Sequence, residues 1–250
     1  MRSSFVLKMA SENFGNVSVV IPTLNEEKNI GNTLRSLRKM LPHAQVIVAD
    51  GGSSDKTVSI AQKLADKVCL ENGHKKVRPS IGAGRNAGAR HAKREWIVFC
   101  DADNTPPKLF FTRMASAFRD PGVVGFGGKV MPKDSTFLQN WFFEILNLIV
   151  QLATLFGRPV IAGNAAAYKK KDFDAVHGFD EEMEASEDQD LCVRIATRGK
   201  VIYDPAVVTF TSNRRLKKFG LFGLTWDWGK TTLNFMLGIK TKRYAIIREI

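Results

Sequence analysis

The chain has 250 residues, 44% hydrophobic and 25% charged, which excludes disordered, collagen-like and low-complexity classes and allows one large domain or two small ones. Its three cysteines, Cys69, Cys100 and Cys192, are widely spaced and form no CxxC pair; the pattern suits a reducing, cytoplasmic compartment and argues against a disulfide scaffold or a structural zinc site. The net charge of +12 points to anionic partners, and +7 of it lies between Arg214 and Ile250.

In chain order, residues 1–16 carry only a short apolar run before Lys8, too short for a secretory signal. Apolar, β-branched runs then alternate with helical patterns: strand 17–21, helix 26–40, strand 45–49, helix 56–66, strand 67–70, helix 83–93, strand 95–100, helix 107–118 and strand 123–129. This alternation predicts an α/β fold, with a mostly parallel sheet flanked by helices on both faces and ligands bound beyond the carboxyl ends of its strands. No internal repeat is visible.

The most apolar stretch, 137–156, follows. Its polar residues Asn140, Glu144, Asn147 and Gln151 fall in one narrow stripe of a helix turning ~100° per residue. It is too polar for a spanning helix, which wants ~20 largely apolar residues. Two readings stay open: a helix whose broad apolar face meets the core or another subunit, and an interfacial helix lying on a membrane. Segment 216–239 adds Phe219, Phe222, Trp226 and Trp228 beside Lys217, Lys218 and Lys230, a mixture that suits the lipid headgroup zone. Its glycines at 220, 223 and 229 weaken the helical pattern.

Chemistry gathers at the predicted strand ends. The first strand runs into Pro22-Thr23-Leu24-Asn25-Glu26, the second into Asp50-Gly51-Gly52-Ser53-Ser54-Asp55, and the fourth into Asp101-Ala102-Asp103. Any one of these could be a cap or a turn. Acidic groups recurring along one sheet edge repel each other unless a cation or hydrogen-bond donors offset them. Asp101 and Asp103, two positions apart at a strand end, point the same way and suit Mg²⁺ or Mn²⁺, which bind diphosphate oxygens through one or two protein carboxylates. Gly82-Ala83-Gly84-Arg85-Asn86 opens a helix whose N–H groups and forked cation suit phosphate. The same segment fits the loose dinucleotide fingerprint, but no strand precedes it, which argues against a nicotinamide or flavin site. Downstream lie Gly163-Asn164, Gly178-Phe179-Asp180-Glu181, and four carboxylates within 184–190, more than a helix dipole needs; one of them could be a general base.

In this order and spacing, the motifs resemble the family 2 glycosyltransferases of the GT-A fold, over about four fifths of the chain. The resemblance implies a GT-A domain at 15–212 and a basic, aromatic-rich, amphipathic helical extension at 213–250. It implies an inverting transfer of a sugar from a nucleotide diphosphate donor, with Pro22, Thr23, Glu26, Asp50, Arg85 and Asp101 on the nucleotide sugar. Asp103, with Asp101, would hold Mg²⁺ or Mn²⁺; Asp188 would be the catalytic base, oriented by Glu187. Gly163, Asn164 and Arg215 would lie on the acceptor or phosphate side.

Two departures from the family pattern matter. Processive members carry Gln-x-x-Arg-Trp after the base, whereas this chain reads Ser212-Asn213-Arg214-Arg215-Leu216, which favours transfer of a single sugar. Many relatives also place a histidine near Thr211, and none stands there. The Glu187-Asp188 pair favours a hydroxyl acceptor over an already anionic phosphate. The expected partners are a nucleotide sugar, a glycan or glycolipid acceptor and an anionic membrane surface on the inner face of the cell, with no nucleic acid. Two rivals remain. A sugar-nucleotide nucleotidyltransferase wants a Gly-rich basic loop after the first strand, which Pro22–Glu26 is not. A basic nucleic-acid-binding module explains the tail but not the carboxylates.

Overall fold

The computed structural model describes residues 14–70, 80–212, 214–237 and 239, with only the backbone at 215, 233, 235 and 236. The tail beyond residue 239 lies outside the described residues.

The first half builds the predicted units: β1 (Val17–Thr23), α1 (Ile30–Met40), β2 (Gln45–Asp50), α2 (Thr57–Leu64), β3 (Lys67–Leu70), α3 (Ile81–Ala89), β4 (Trp96–Cys100), α4 (Lys108–Phe118) and β5 (Val123–Pro132). Then come α5 (Phe137–Leu155), β6 (Ala165–Lys169), α6 (Lys170–Ala175), α7 (Glu187–Ala196), β7 (Lys200–Thr211) and α8 (Arg214–Met236), the last broken at Gly220. One seven-stranded sheet runs β3-β2-β1-β4-β6-β5-β7. It is parallel except for β6, which pairs antiparallel with β4 and β5.

The alternation of β1 sorts its side chains between two apolar layers. Val17, Val19 and Ile21 face Ile30, Leu34 and Leu37 of α1 and Phe110, Phe111 and Met114 of α4. On the opposite face Val20 joins Ile97, Phe99, Tyr168, Phe179, Leu191 and Ile195. The central strands are buried on both sides, as their uninterrupted apolar sequences require.

Two helices depart from the sequence expectation, α3 spanning Ile81–Ala89 rather than 83–93, and β6 and β7 lie beyond the strands read from the sequence. Helix α1 starts at Ile30 rather than at 26, because residues 26–29 form a turn with Asn29 N–H and Ile30 N–H both donating to the Glu26 carbonyl. Strand β6, Ala-Ala-Ala-Tyr-Lys, has a strand-favouring residue only at Tyr168; pairing on both edges imposes it, and all five residues are buried. Strand β7 contains Pro205 and still pairs with β5, because the chain bulges there: Asp204 pairs with Gly128 but Val208 with Lys129. The bulge brings the Val207 carbonyl so close that a Cβ on Gly128 would meet it at 2.4 Å.

Helix α5 is oriented opposite to ordinary amphipathic logic. Thr136 and Gln139 form a capping box at its start. Its polar stripe then faces the protein. Asn140 accepts from the Ser135 hydroxyl at 2.6 Å, Glu144 pairs with Lys129, and buried Asn147 brackets β5. The Asn147 amide accepts from Val130 N–H at 3.0 Å and from the Tyr203 hydroxyl at 2.9 Å, and donates to the Val130 carbonyl at 2.8 Å. The apolar side is left outward, with Phe137 87% and Leu155 74% exposed and Trp141, Leu148 and Ile149 also exposed. Of the two readings of 137–156, burial of the broad apolar face in the core is therefore not what the described residues form. Helix α8 rests on α5 through Leu216, Leu224 and Trp228 around Phe143.

Asn147→Leu should strand the Val130 backbone groups and the Tyr203 hydroxyl, lowering stability by about 1–3 kcal/mol, measured by urea unfolding. An unchanged unfolding midpoint would mean that this amide does not anchor α5.

Candidate active site

One cleft opens along the carboxyl ends of β1, β2 and β4, with a volume of about 1480 Å³. It is lined by Pro22, Thr23, Glu26, Arg85, Asp101, Asp103, Gly163, Asn164, Glu187 and Asp188. These are all but two of the site residues expected from the sequence. Asp50 lies just beneath, 1% exposed. The Arg215 side chain lies outside the described residues.

The floor is built by two loops stitched together. After β1, Asn25 takes a left-handed conformation, φ 55°, which Asn tolerates. Its N–H donates to Ser53 Oγ at 2.8 Å, and its side chain accepts from Ser54 N–H at 2.9 Å. The Glu26 N–H donates to Thr57 Oγ1 at 2.7 Å. Asp50 turns its own loop, accepting from Gly52 N–H, Ser53 N–H and Ser53 Oγ, and accepts from the Thr23 hydroxyl at 3.2 Å. These bonds hold Asp50 below the cleft surface.

Beyond β4 the chain alternates as expected. Ala102 is buried, its carbonyl accepting from Thr33 Oγ1 at 2.7 Å, while Asp101 and Asp103 line the cleft. Burial raises the Asp101 pKa; the Arg85 guanidinium pulls it back, and the Asp103 carboxylate pushes it up further.

Arg85 is the hub. It is 3% exposed, bonded at 2.9 Å to Glu187 and at 3.4 Å to Asp101, with its guanidinium 5.3 Å from the centre of the Phe179 ring. Burial would weaken its hold on the proton, but Asp101, Glu187 and Asp188 together hold it above its ordinary value. Gly163 leaves room for it: a Cβ there would stand 2.5 Å from both terminal nitrogens. The neighbouring Asn86 fastens the supporting loop, accepting from Phe179 N–H at 2.9 Å and donating to the Phe179 carbonyl at 2.8 Å and to Glu181 at 3.0 Å.

Gly84 lines the cleft beside Arg85, and Gly88, further along the helix, has a packing role. A Cβ on Gly88 would meet Val20 at 2.4 Å, so this glycine lets α3 lie directly on the sheet. The first turn of α3 is capped by Ser80, whose hydroxyl accepts from Ala83 N–H at 3.1 Å.

The acidic run at 184–190 divides by partner. Asp190 pairs with Arg194, and Glu187 with Arg85. Of positions 187, 188 and 190, Asp188 alone carries no ion pair among the described residues. It accepts from Gly163 N–H at 3.2 Å and from Gln189 N–H at 2.8 Å. Ser186, held left-handed at φ 62°, turns the chain into α7 just before this pair. Burial, and then the charge on Asp188, push Glu187 from its ordinary 4.5 to about 7, against the opposing pull of Arg85.

Two residues were not read as site residues from the sequence. Arg214 donates to Asp103 at 2.7 Å and to Glu26 at 3.3 and 3.4 Å. Lys133 donates to the Asp103 carbonyl at 2.6 Å. Both come from segments far from Asp103 in sequence, and their only local signal is a basic side chain. Asn164, which was expected here, is 8% exposed, and neither atom of its side-chain amide has a partner among the described residues. Asp101 and Asp103 offer two hard oxygen donors, and a guanidinium already rests against Asp103. That donor set fits a magnesium-like cation sharing diphosphate oxygens. No third His, Cys, Asp or Glu completes a metal cluster among the described residues.

Residues 18–176 match the family described as Glycosyl transferase family 2. Among curated relatives, the succinoglycan biosynthesis protein ExoA of Rhizobium meliloti is 28% identical over 225 residues, covering 85% of this chain and 67% of the relative. The probable glycosyltransferase YdaM of Bacillus subtilis is 28% identical over 211 residues, covering 78% of this chain and 50% of its own. Other curated relatives are matched over less than half their length. The chain thus spans about two thirds or less of the relatives it matches. Among solved structures, a mannosyltransferase from Pyrobaculum calidifontis, in complex with GDP-Man and Mn²⁺, superposes with a TM-score of 0.69 at 20% identity, covering 91% of this chain and 66% of that one. Staphylococcus aureus TarS in complex with UDP-GlcNAc gives 0.60 at 21% identity, with 80% and 59% covered. These likenesses show the fold, which is GT-A.

Replacing Arg85 with Met should leave the buried Glu187 unpaired and the half-buried Asp101 without its cation, costing about 3–5 kcal/mol at pH 8. Because the Glu187 pKa is raised in the folded state, its contribution to stability is complete below about pH 4.5 and is lost as pH rises through about 7. The Arg85→Met deficit should therefore shrink between pH 8 and pH 5, read by denaturant unfolding at both. A deficit that grows in acid would contradict this placement of charge.

Proposed function

Because the chain belongs to glycosyl transferase family 2, we propose that it moves a single sugar, with inversion, from a UDP- or GDP-sugar to a hydroxyl acceptor at a membrane surface. The observation that carries this reading is the convergence of Glu26, Asp101, Asp103, Glu187 and Asp188 on one cleft that also holds the buried Arg85. A nucleotidyltransferase or a nucleic-acid-binding module gives no reason for a carboxylate facing the cleft opposite a metal-type pair.

In this reading Thr23 and Glu26 contact the nucleoside, above the Asp50 turn that sets their loop. Asp101 and Asp103 would hold Mg²⁺ or Mn²⁺; the similar Pyrobaculum enzyme is solved with Mn²⁺. The bound ion would offset charge gathering on the departing diphosphate. Arg214 would be displaced from Asp103 as the ion arrives and would remain in the same cleft as a forked cation for phosphate oxygens. Asp188 takes the proton from the acceptor hydroxyl as its oxygen attacks the anomeric carbon. Glu187 is a positioning residue: it is committed to Arg85 and sits beside Asp188 at the start of α7. The unspent amide of Asn164 can bond sugar hydroxyls next to Gly163, whose N–H holds Asp188. In this reading Asp188 acts as a base and not as a nucleophile, so the transfer is a single displacement with inversion.

The membrane contact is supported by the outward apolar side of α5 and by Phe222 and Trp226 on α8, 85% and 72% exposed. Each such side chain withdrawn from water contributes about 1.5–3 kcal/mol. Lys217, Lys218 and Lys230, exposed on α8, would meet anionic headgroups. No helix among the described residues is long and apolar enough to cross a membrane; in this reading these helices lie peripherally on the cytoplasmic face.

Asp188→Asn should abolish transfer yet keep nucleotide affinity within about twofold, whereas Asp103→Ala should weaken UDP or GDP binding only when Mn²⁺ is present, both read by calorimetry beside a transfer assay. Normal turnover in Asp188→Asn would remove the base assignment. In vesicle flotation the protein should rise with anionic liposomes at low salt, less at high salt, and less again as Trp141→Asp; no flotation with anionic vesicles at low salt would sink the membrane contact.

A further inference from the structure

The cleft is larger than a nucleotide sugar needs. At about 1480 Å³ it exceeds the ~300–1,000 Å³ usual for one small-molecule site. The excess continues away from the carboxylates as an apolar groove between α5 and α8. Its walls are Phe142, Leu146, Val150 and Ala153 on one side and Thr225 and Trp228 on the other. The α5 residues recur at helical spacing, so one face of the helix lines the groove while the adjoining stripe, Trp141, Leu148, Leu152 and Leu155, is exposed.

Resting on the glycosyltransferase reading, we propose that this groove holds the hydrocarbon chain of an amphiphilic acceptor whose sugar or headgroup hydroxyl lies at Asp188. Three observations select that occupant. The groove and the carboxylate end are one continuous cavity, so whatever fills the apolar part is joined to whatever meets the base. The α8 wall touches the segment bearing the base: the Ser186 hydroxyl donates to the Thr231 carbonyl at 3.5 Å, and the Gln189 side-chain amide donates to Thr232 Oγ1 at 3.4 Å. The groove is also continuous with the exposed apolar stripe of α5 and ends beside the exposed Arg158, a cation suited to an anionic linkage or headgroup. From Phe142 to Ala153 the wall is about 16 Å long at ~1.5 Å per residue, roughly the reach of an extended dodecyl chain. A second protein copy would cover the outer stripe but would not place a hydroxyl at the base.

The test uses the full chain and a dodecyl β-glucoside carrying a diazirine at the end of its alkyl chain. On irradiation the probe should label peptides covering 142–153 and 225–232. Unlabelled dodecyl β-glucoside should suppress labelling at least tenfold, and methyl β-glucoside should not. Ala153→Trp, which fills the groove, and Val150→Phe, as a milder second variant, should each reduce labelling severalfold while Mn²⁺-dependent UDP or GDP binding stays within twofold. Labelling elsewhere, equal competition by the methyl glucoside, or labelling unchanged in either folded variant would overturn the groove assignment; so would a stable dimer by sedimentation that takes up no probe. Chain-length-dependent labelling in a protein that binds neither nucleotide would leave the groove standing and remove the glycosyltransferase reading instead.

Discussion

A buried guanidinium holding two carboxylates from distant parts of the sequence is the constraint on which the cleft depends. Arg85 reaches Asp101 after β4 and Glu187 at the start of α7, and it lies against the Phe179 ring. Paired in this way, the acids can be withdrawn from water; unpaired, they would have to take up protons or pull apart. Much of the surrounding sequence serves that arrangement. Gly163 is small because the guanidinium lies against it, Asn86 ties down the loop that carries Phe179, and Gly88 lets α3 sit on the sheet at the required height. The segment that resembles a phosphate-binding glycine loop also places this one arginine.

The same arrangement separates the acidic run into different tasks. Glu187 and Asp190 each have a basic partner, and Asp188 is held by backbone N–H groups in contact with the cleft. The two N–H donors fix the position of the Asp188 carboxylate without tying it to a cation. Arg214 sets up a comparable contrast on the other side, neutralising Asp103 and Glu26 together and linking the metal-type pair to the beginning of α8. Helix α8 therefore touches both ends of the chemistry, Asp103 through Arg214 and the α7 start through Thr231 and Thr232.

Helix α5 explains why the apolar surface of this chain is where it is. A polar stripe turned inward costs little when each group finds a partner, as buried Asn147 does on the Val130 backbone of β5. The outward apolar side then needs a partner that is not part of the described chain, and the groove between α5 and α8 carries that character up to the carboxylates. The polar and apolar parts of the cleft are thus two consequences of how two helices sit on one sheet edge.

The sequence by itself determined the alternation of strands and helices through β5 and the placing of Thr23, Glu26, Asp101 and Asp103 at strand ends. Period-two and period-3.6 patterns state which side chains share a face, and motif order then identified the family. It did not determine β6, whose alanines become a strand only between two neighbours, nor β7, whose proline is accommodated by a bulge. The helical stripe of 140, 144, 147 and 151 was legible, but its direction was not. Periodicity records that polar groups lie together, whereas only the unpaired backbone at Val130 and the Tyr203 hydroxyl decide that they turn inward. Arg214 on Asp103, and Asp188 rather than Asp190 facing the cleft, were likewise settled by tertiary structure, because an ion pair between residues over a hundred positions apart leaves no mark in local sequence.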